Sequence, residues 1–183
     1  MGKASRDKGA RFERSIVRDV KAWLADWKVA RNPGDRQSGE VGEAGDLIVS
    51  SGPFRFPFSV ECKHYAGVGP EALLRDQSAA LVSFWLQACR QAETVEAVPL
   101  LVMRRDRGKT YALMPDYAAA RLKQAAGGDP WRVEVRVRLQ LDEPGHRDRV
   151  VAVLWEDLIK VRPIALFELL DYCARDEADI GRR

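Results

Sequence analysis

The first apolar positions of the chain recur with the spacing of a helix. Residues 5–28 carry a stripe at intervals of four and three, which predicts one amphipathic helix. The stripe comprises Phe12, Ile16, Val20, Trp23 and Trp27, widened by Val17 and Leu24. Glu13 lies at the edge of this stripe, in line with Val17. The pattern therefore places one carboxylate against the packed side of the helix rather than in open solvent.

Two short apolar runs follow a glycine-rich loop. Residues 31–45 contain four glycines, one proline and no apolar periodicity, which predicts a flexible connection. Runs at 47–49 and 58–63 flank a turn signal and predict two adjacent strands. Side chains alternate along a strand, so Glu61 and Lys63 share one face and Cys62 points to the other. If the two strands pair, Asp46 comes close to Glu61.

The middle of the chain alternates between helical and strand patterns. A broad apolar face predicts a helix from Pro70-Glu71 to about Glu93. Strands are predicted at 98–103 and 110–114, with a turn at 105–108 between them. A short helix at 117–125 follows, capped by Asp116 and ended by two glycines.

The last third predicts a hairpin and a final helix. Residues 131–141 alternate strictly between apolar and polar positions, and 150–154 return the chain. The polar face of the first strand is basic, and it either follows DNA or is an ordinary polar edge. After Pro163 the helical pattern has an apolar face wide enough to pack at a subunit interface.

Composition sets the class of protein. The 183 residues are 46% hydrophobic and 31% charged, which is typical of one globular domain. We expect a core at about 5–125 and a C-terminal extension at about 129–183. No apolar run is long enough for a membrane span, and the basic N-terminus lacks the apolar core of a secretory signal.

The cysteines, Cys62, Cys89 and Cys173, are odd in number and far apart, which favours buried thiols in a reduced, intracellular setting.

The charge distribution favours a DNA partner. The net charge is only +3, but residues 1–21 contain seven basic and three acidic side chains and so carry +4. A basic cluster of this kind fits contacts to the DNA backbone. A solvated helix face explains any single one of these residues equally well.

Asp46, Glu61 and Lys63 together suit phosphodiester hydrolysis. Two carboxylates supply hard oxygen ligands for Mg²⁺, with Mn²⁺ as a substitute. Such a metal polarises a phosphoryl oxygen and lowers the pKa of a bound water. Lys63 could orient that water or stabilise developing charge. Taken alone, Glu61 and Lys63 would be an ordinary surface pair.

The same residues resemble a nuclease signature. Asp46 with Glu61-Cys62-Lys63 is similar to the PD-(D/E)xK motif, although Gly45 stands where that motif has proline. Residues 8–14, K-G-A-R-F-E-R, resemble the opening of archaeal-type Holliday-junction resolvases, which phages also carry. Arg31-Asn32-Pro33 with Ser38-Gly39 resembles their mobile loop. The resemblance covers roughly residues 8–104.

The resemblance implies a fold, a reaction and a set of site residues. The implied fold is α/β and restriction-endonuclease-like, a mixed central sheet flanked by helices, here with a C-terminal hairpin and helix. The implied activity is metal-dependent cleavage of four-way DNA junctions by a homodimer. The implied catalytic residues are Glu13, Asp46, Glu61 and Lys63. The implied metal ligands are Asp46, Glu61, Glu13 and the Cys62 backbone carbonyl. The implied DNA contacts are Lys8, Arg11, Arg14, Arg31, Arg36 and Ser38.

Several alternatives stay open at this stage. Either Gln77 or Gln87 is the glutamine that many relatives place near the site, and either one or two metals could bind. A restriction-type or repair nuclease on ordinary duplex is a rival function. A non-catalytic DNA-binding protein on a nuclease scaffold is another.

Overall fold

The computed structural model describes residues 3–32, 45–65, 79–139 and 149–169. The helices in these ranges are α1 (Lys3–Trp23), α2 (Ala79–Thr94), α3 (Asp116–Ala126) and α4 (Trp155–Leu158), followed by a 3-10 turn, Pro163–Leu166. The strands are β1 (Lys28–Arg31), β2 (Leu47–Ser50), β3 (Phe58–Tyr65), β4 (Val98–Arg105), β5 (Thr110–Pro115), β6 (Glu134–Arg138) and β7 (Arg149–Leu154).

Five of these strands form a mixed sheet in the order β3-β4-β5-β7-β6. β3 and β4 run parallel, because the chain crosses over through α2 between them, and the other neighbours are antiparallel. β1 and β2 form a separate antiparallel pair. The mixed α/β sheet flanked by helices that the resemblance implied is therefore confirmed.

Helices cover both faces of this sheet. The apolar stripe of α1 and the buried face of α3 pack on one face, with Val60 and Cys62 of β3. Leu81, Trp85 and Ala88 of α2 pack on the other. β4 is apolar and buried on both sides, as expected for a strand inside a two-faced sheet. Glu61 and Lys63 therefore point toward α2, opposite to Cys62.

The C-terminal hairpin extends the central sheet. β7 pairs with β5 from Val150 to Leu154, and β6 forms the far edge. Asp157, only 2% exposed, accepts hydrogen bonds from the backbone and guanidinium of Arg132. Trp155 donates to Asp19 at 3.0 Å, and Trp23 donates to the carbonyl of Val161 at 2.6 Å. These bonds fix the last described elements to α1.

Some predicted details differ from the structure. β2 pairs with β1 rather than with β3, so the runs at 47–49 and 58–63, predicted as adjacent strands, do not pair with each other. Asp116 is the first residue of α3 and makes no capping bond; Pro115 precedes the helix. Val135 is 38% exposed and interrupts the buried face predicted for β6.

Other predicted elements fall partly outside the described residues. Residues 70–78 of the second predicted helix are among these, and so is the final helix beyond residue 169. Cys62 and Cys89 are buried thiols, as expected, whereas Cys173 lies outside the described ranges. None of the helices within those ranges is both long and apolar enough to cross a membrane.

Candidate active site

β3 carries the predicted catalytic residues at the edge of the sheet. Its neighbour on one side is β4, with Glu61 opposite Leu101 and Lys63 opposite Met103. Its other side receives Asp46 instead of a paired strand. The backbone N–H of Asp46 donates to the carbonyl of Val60 at 2.7 Å, and the N–H of Cys62 donates to Oδ2 of Asp46 at 2.7 Å. Asp46 and Glu61 are thus brought together, as predicted. The contact consists of these two hydrogen bonds, and β2 does not pair with β3.

The residue before Asp46 makes this approach sterically feasible. Gly45 has a φ of +93°, a value that favours glycine. A Cβ added there would lie 2.7 Å from the carbonyl oxygen of Val60. Asn32 holds the same segment from the other side: its N–H donates to the carbonyl of Asp46 and its Nδ2 to that of Gly45.

Glu61 is the most enclosed of the site carboxylates. Its side chain is 3% exposed, and Oε1 accepts hydrogen bonds from Nζ of Lys63 and, at 2.8 Å, from Nε2 of Gln87. Nζ of Lys63 also lies 5.3 Å from the centre of the Phe84 ring. Glu61 Oε2 is buried and has no hydrogen-bond partner among the described residues. A buried carboxylate oxygen without a donor is costly, so this atom is suited to bind a cation.

Burial and charge repulsion together hold a proton on Asp46. Burial is the larger cause, the charge of Glu61 the next, and together they raise the pKa of Asp46 to about 7 from its ordinary 3.8. The hydrogen bond from Cys62 opposes this rise. Burial also raises the pKa of the Cys62 thiol, so that sulfur stays protonated.

The raised pKa of Asp46 predicts a pH-dependent stability in chelator. Between about pH 4 and pH 7 the folded protein keeps a proton on Asp46 that the unfolded chain has lost, so stability falls as pH rises through this window. The loss is up to about 4 kcal/mol, at about 1.4 kcal/mol per unit of pKa. Asp46→Asn should unfold in urea with a smaller decline between pH 5 and pH 8 than the wild type. Equal declines would contradict the pKa assignment.

Glu13 of α1 is partly buried and binds an arginine. Its carboxylate is 17% exposed and forms an ion pair with Arg31 of β1. Its negative charge is one of the smaller causes that raise the pKa of Asp46. No group of three or more His, Cys, Asp or Glu side chains within the described ranges is arranged to hold a metal. The role of Glu13 as a metal ligand therefore stays a prediction.

The predicted DNA contacts lie in different surroundings. Arg11 and Arg14 project from α1 into solvent. Lys8 instead forms an ion pair with Asp106 in the β4–β5 turn. Arg36 and Ser38 lie outside the described residues, and so does Gln77.

Sequence reasoning missed some residues of the site. The sequence pattern indicates Asn32 only as part of a loop and Phe84 only as part of an apolar helix face. Gln87 was one of two glutamines considered, and its contact with Glu61 identifies it as a site residue. Gln87 lies on the side of α2 that faces β3. Which residues of α2 face this strand depends on how the helix packs on the sheet, and the sequence pattern does not show it.

Asp46 and Glu61 fit a divalent cation. They supply two carboxylates at the edge of one strand, the number that Mg²⁺ typically takes from protein. Their repulsion and the unpartnered Oε2 of Glu61 are both features that a bound cation would relieve. The Cys62 backbone carbonyl stays a predicted third ligand.

Gln87 orients Glu61, and we expect its loss to slow cleavage more than binding. Gln87→Ala should lower the cleavage rate about 10–100-fold, the usual cost of losing a hydrogen bond to a ligand residue. The cleavage rate is measured on a labelled DNA substrate with saturating protein, at a series of metal concentrations. Gln91→Ala, one turn further along α2, is the matched control, because Oε1 of Gln91 has no described hydrogen bond to lose. Equal rates for the two variants would exclude an orienting role.

Comparison with known proteins places the chain in a family. A search of curated proteins gave no match. Among solved structures the chain is similar to Hjc, a Holliday junction resolvase from the archaeal hyperthermophile Archaeoglobus fulgidus, with 22% identity and a TM-score of 0.35 over 57% of this chain and 74% of that one. The family model described as "Phage putative PDDEXK endonuclease" matches residues 4–167. Since that match spans most of the chain, the protein belongs to this phage PDDEXK endonuclease family.

Proposed function

We propose that this nuclease is a Mg²⁺-dependent endodeoxyribonuclease that resolves four-way DNA junctions by paired nicks, with Mn²⁺ as a substitute metal. The observation that carries the proposal is the convergence of Asp46, Glu61 and Lys63 at the edge of β3. Such an enzyme would act in the cytoplasm of a bacterial, archaeal or phage-infected cell.

Each residue of the site has a chemical task in this proposal. Asp46 and Glu61 would hold the divalent cation, which when bound polarises a phosphoryl oxygen and supplies a nucleophile at neutral pH. Lys63, adjacent to Glu61, would stabilise negative charge that develops on the phosphate. Gln87 donates to Glu61 and keeps its carboxylate in one orientation.

The choice of a four-way junction draws support from how the resolvase-like motifs meet. Glu13 belongs to the K-G-x-x-x-E-R opening, and Arg31 and Asn32 begin the loop motif. Glu13 binds Arg31, and Asn32 holds the backbone of Gly45 and Asp46. The opening motif and the loop motif are therefore joined to each other through Glu13 and Arg31. The loop motif also contacts the nuclease motif through the bond from Asn32 to the backbone of Asp46.

Paired nicks require two sites, which a two-fold homodimer would supply. Ile164 and Phe167, at 65% and 49% exposed, are apolar side chains near the end of the described chain. They offer surface for a subunit contact. Light scattering should give the mass of a dimer at micromolar concentration; a monomer, with and without junction, would contradict this part of the proposal.

The decisive experiment compares substrates. We expect Mg²⁺-dependent, symmetric nicks on a labelled four-way junction, and cleavage of linear duplex of the same sequence slower by at least about tenfold. Equal rates on both substrates would favour the restriction-type or repair nuclease. Binding without cleavage in either Mg²⁺ or Mn²⁺ would favour the non-catalytic DNA-binding protein.

A further inference from the structure

The turn between β4 and β5 concentrates positive charge. Residues 104–109, here called the basic turn, contain three arginines, one lysine and a single acid, Asp106. Arg105, Arg107 and Lys109 are exposed, and none of them forms an ion pair within the described part of the chain. Three adjacent cations that are not neutralised form a strong local attractor for anions.

The single acid in the basic turn is used to anchor it. One oxygen of Asp106 binds Nζ of Lys8 in α1, and the other lies 2.9 Å from Nε2 of His64 in β3. Arg104 is held as well, with its guanidinium 4.7 Å from the centre of the Phe12 ring. The turn is thereby fixed to the helix and strand that also carry the catalytic residues.

Strand register places the basic turn beside the active site. β3 and β4 are parallel, with Lys63 opposite Met103 and Tyr65 opposite Arg105. A strand rises about 3.3 Å per residue, so Arg105 lies about 7 Å further along the sheet than Lys63. The turn therefore extends from the end of the sheet at which Asp46 and Glu61 meet.

In the basic turn, an arginine occupies a position whose backbone conformation other residues adopt with less strain. Arg107 has a φ of 57°, a left-handed value that glycine or asparagine adopts with less strain. The Arg105 side chain lies across Gly108, where an added Cβ would come within 2.4 Å of its Cγ.

We propose that the basic turn binds the phosphate backbone of the DNA substrate on one side of the cleaved phosphate. This inference rests on the proposed cleavage of DNA at Asp46 and Glu61. Arginine side chains match phosphate oxygens in geometry, and such contacts set the register of the DNA without reading its sequence. One DNA strand advances 3.4 Å per nucleotide, so the roughly 7 Å between Lys63 and Arg105 corresponds to about two nucleotides. The turn beyond Arg105 and its long side chains extend the reach to about five nucleotides from the cut.

The first test compares two pairs of substitutions with the same change in charge. Arg105→Gln with Arg107→Gln should weaken binding to junction and duplex alike, about tenfold or more, and should reduce the slope of log affinity against log salt by about two units. The control pair is Arg55→Gln with Arg162→Gln, since Arg55 precedes β3 at its opposite end and Arg162 follows α4. Both pairs are measured by fluorescence anisotropy in chelator, where cleavage does not interfere.

The second test locates the contact. Single neutral methylphosphonates are placed along the substrate strand, and one placed two to five nucleotides from the cut should weaken binding by the wild type. The same replacement should have little effect on the Arg105/Arg107 variant, because the partner charge is already absent. A full effect on that variant, or a slope equal to that of the control pair, overturns the inference. A wild-type protein that binds no DNA overturns the proposed function itself.

Discussion

Replacing Asp46 with asparagine or Glu61 with glutamine is expected to lower DNA cleavage on the order of a thousandfold or more while DNA binding stays near the wild-type level. Each change removes one of two carboxylates that meet at the edge of β3. Affinity, in contrast, comes from many phosphate contacts spread over the surface. Because each change also removes a negative charge beside the DNA, binding in chelator should stay equal or tighten.

Lys63 gives an informative variant of the same prediction. Lys63→Ala should also nearly abolish cleavage, but it removes a positive charge and so should weaken binding by at most about one phosphate contact. It also removes the ion pair to Glu61 and leaves that buried carboxylate with Gln87 as its described donor. If Lys63→Ala weakens DNA binding while Glu61→Gln tightens it, and both abolish cleavage, then the charge of each residue determines its effect on binding independently of its effect on cleavage.

These variants are measured with a gel shift in Ca²⁺ or chelator and a cleavage assay in Mg²⁺. Glu96→Gln is the matched control, because Glu96 is 81% exposed and precedes β4, at the end of the sheet opposite to Lys63. It should cut at the wild-type rate. If the Asp46 and Glu61 variants cut at that rate too, the proposed metal site is wrong and these residues are structural.

Much of the fold followed from hydrophobic pattern alone. The stripe of Phe12, Ile16 and Val20 predicted α1, and all three side chains are buried. The strands at β4, β5 and β7 and the glycine that ends α3 were predicted within a few residues. These elements bury wide apolar faces, and burial of that kind dominates both the sequence pattern and the packing.

The arrangement of the site was harder to predict because its partners are set by tertiary structure. β1 has four residues, of which only Val29 is buried, so it left no strand signal in the sequence. β2 therefore lacked a recognisable partner, and pairing with β3 was the natural assumption. The ion pairs of Lys8 with Asp106 and of Glu13 with Arg31 join residues 98 and 18 positions apart. Such contacts have no local signature.

The departure from the usual proline before the aspartate of the motif has a steric explanation here. Proline fixes φ near −65°, whereas Gly45 adopts +93°. Any side chain at position 45 would also press on the carbonyl of Val60, the acceptor of the Asp46 backbone bond. Glycine therefore fits this particular route from Asn32 into β2.

Restoring the proline of the motif should accordingly inactivate this protein. Gly45→Pro, and to a lesser degree Gly45→Ala, cannot keep both the positive φ and the approach to Val60, so Asp46 should shift away from Glu61. A displacement of about 1 Å can cost about a hundredfold in rate. Cleavage and thermal unfolding are measured together, with Gly128→Ala as control, because an added Cβ at Gly128 meets nothing within 4 Å. A Gly45→Pro protein that cuts as fast as the control would show that Asp46 does not depend on this backbone conformation.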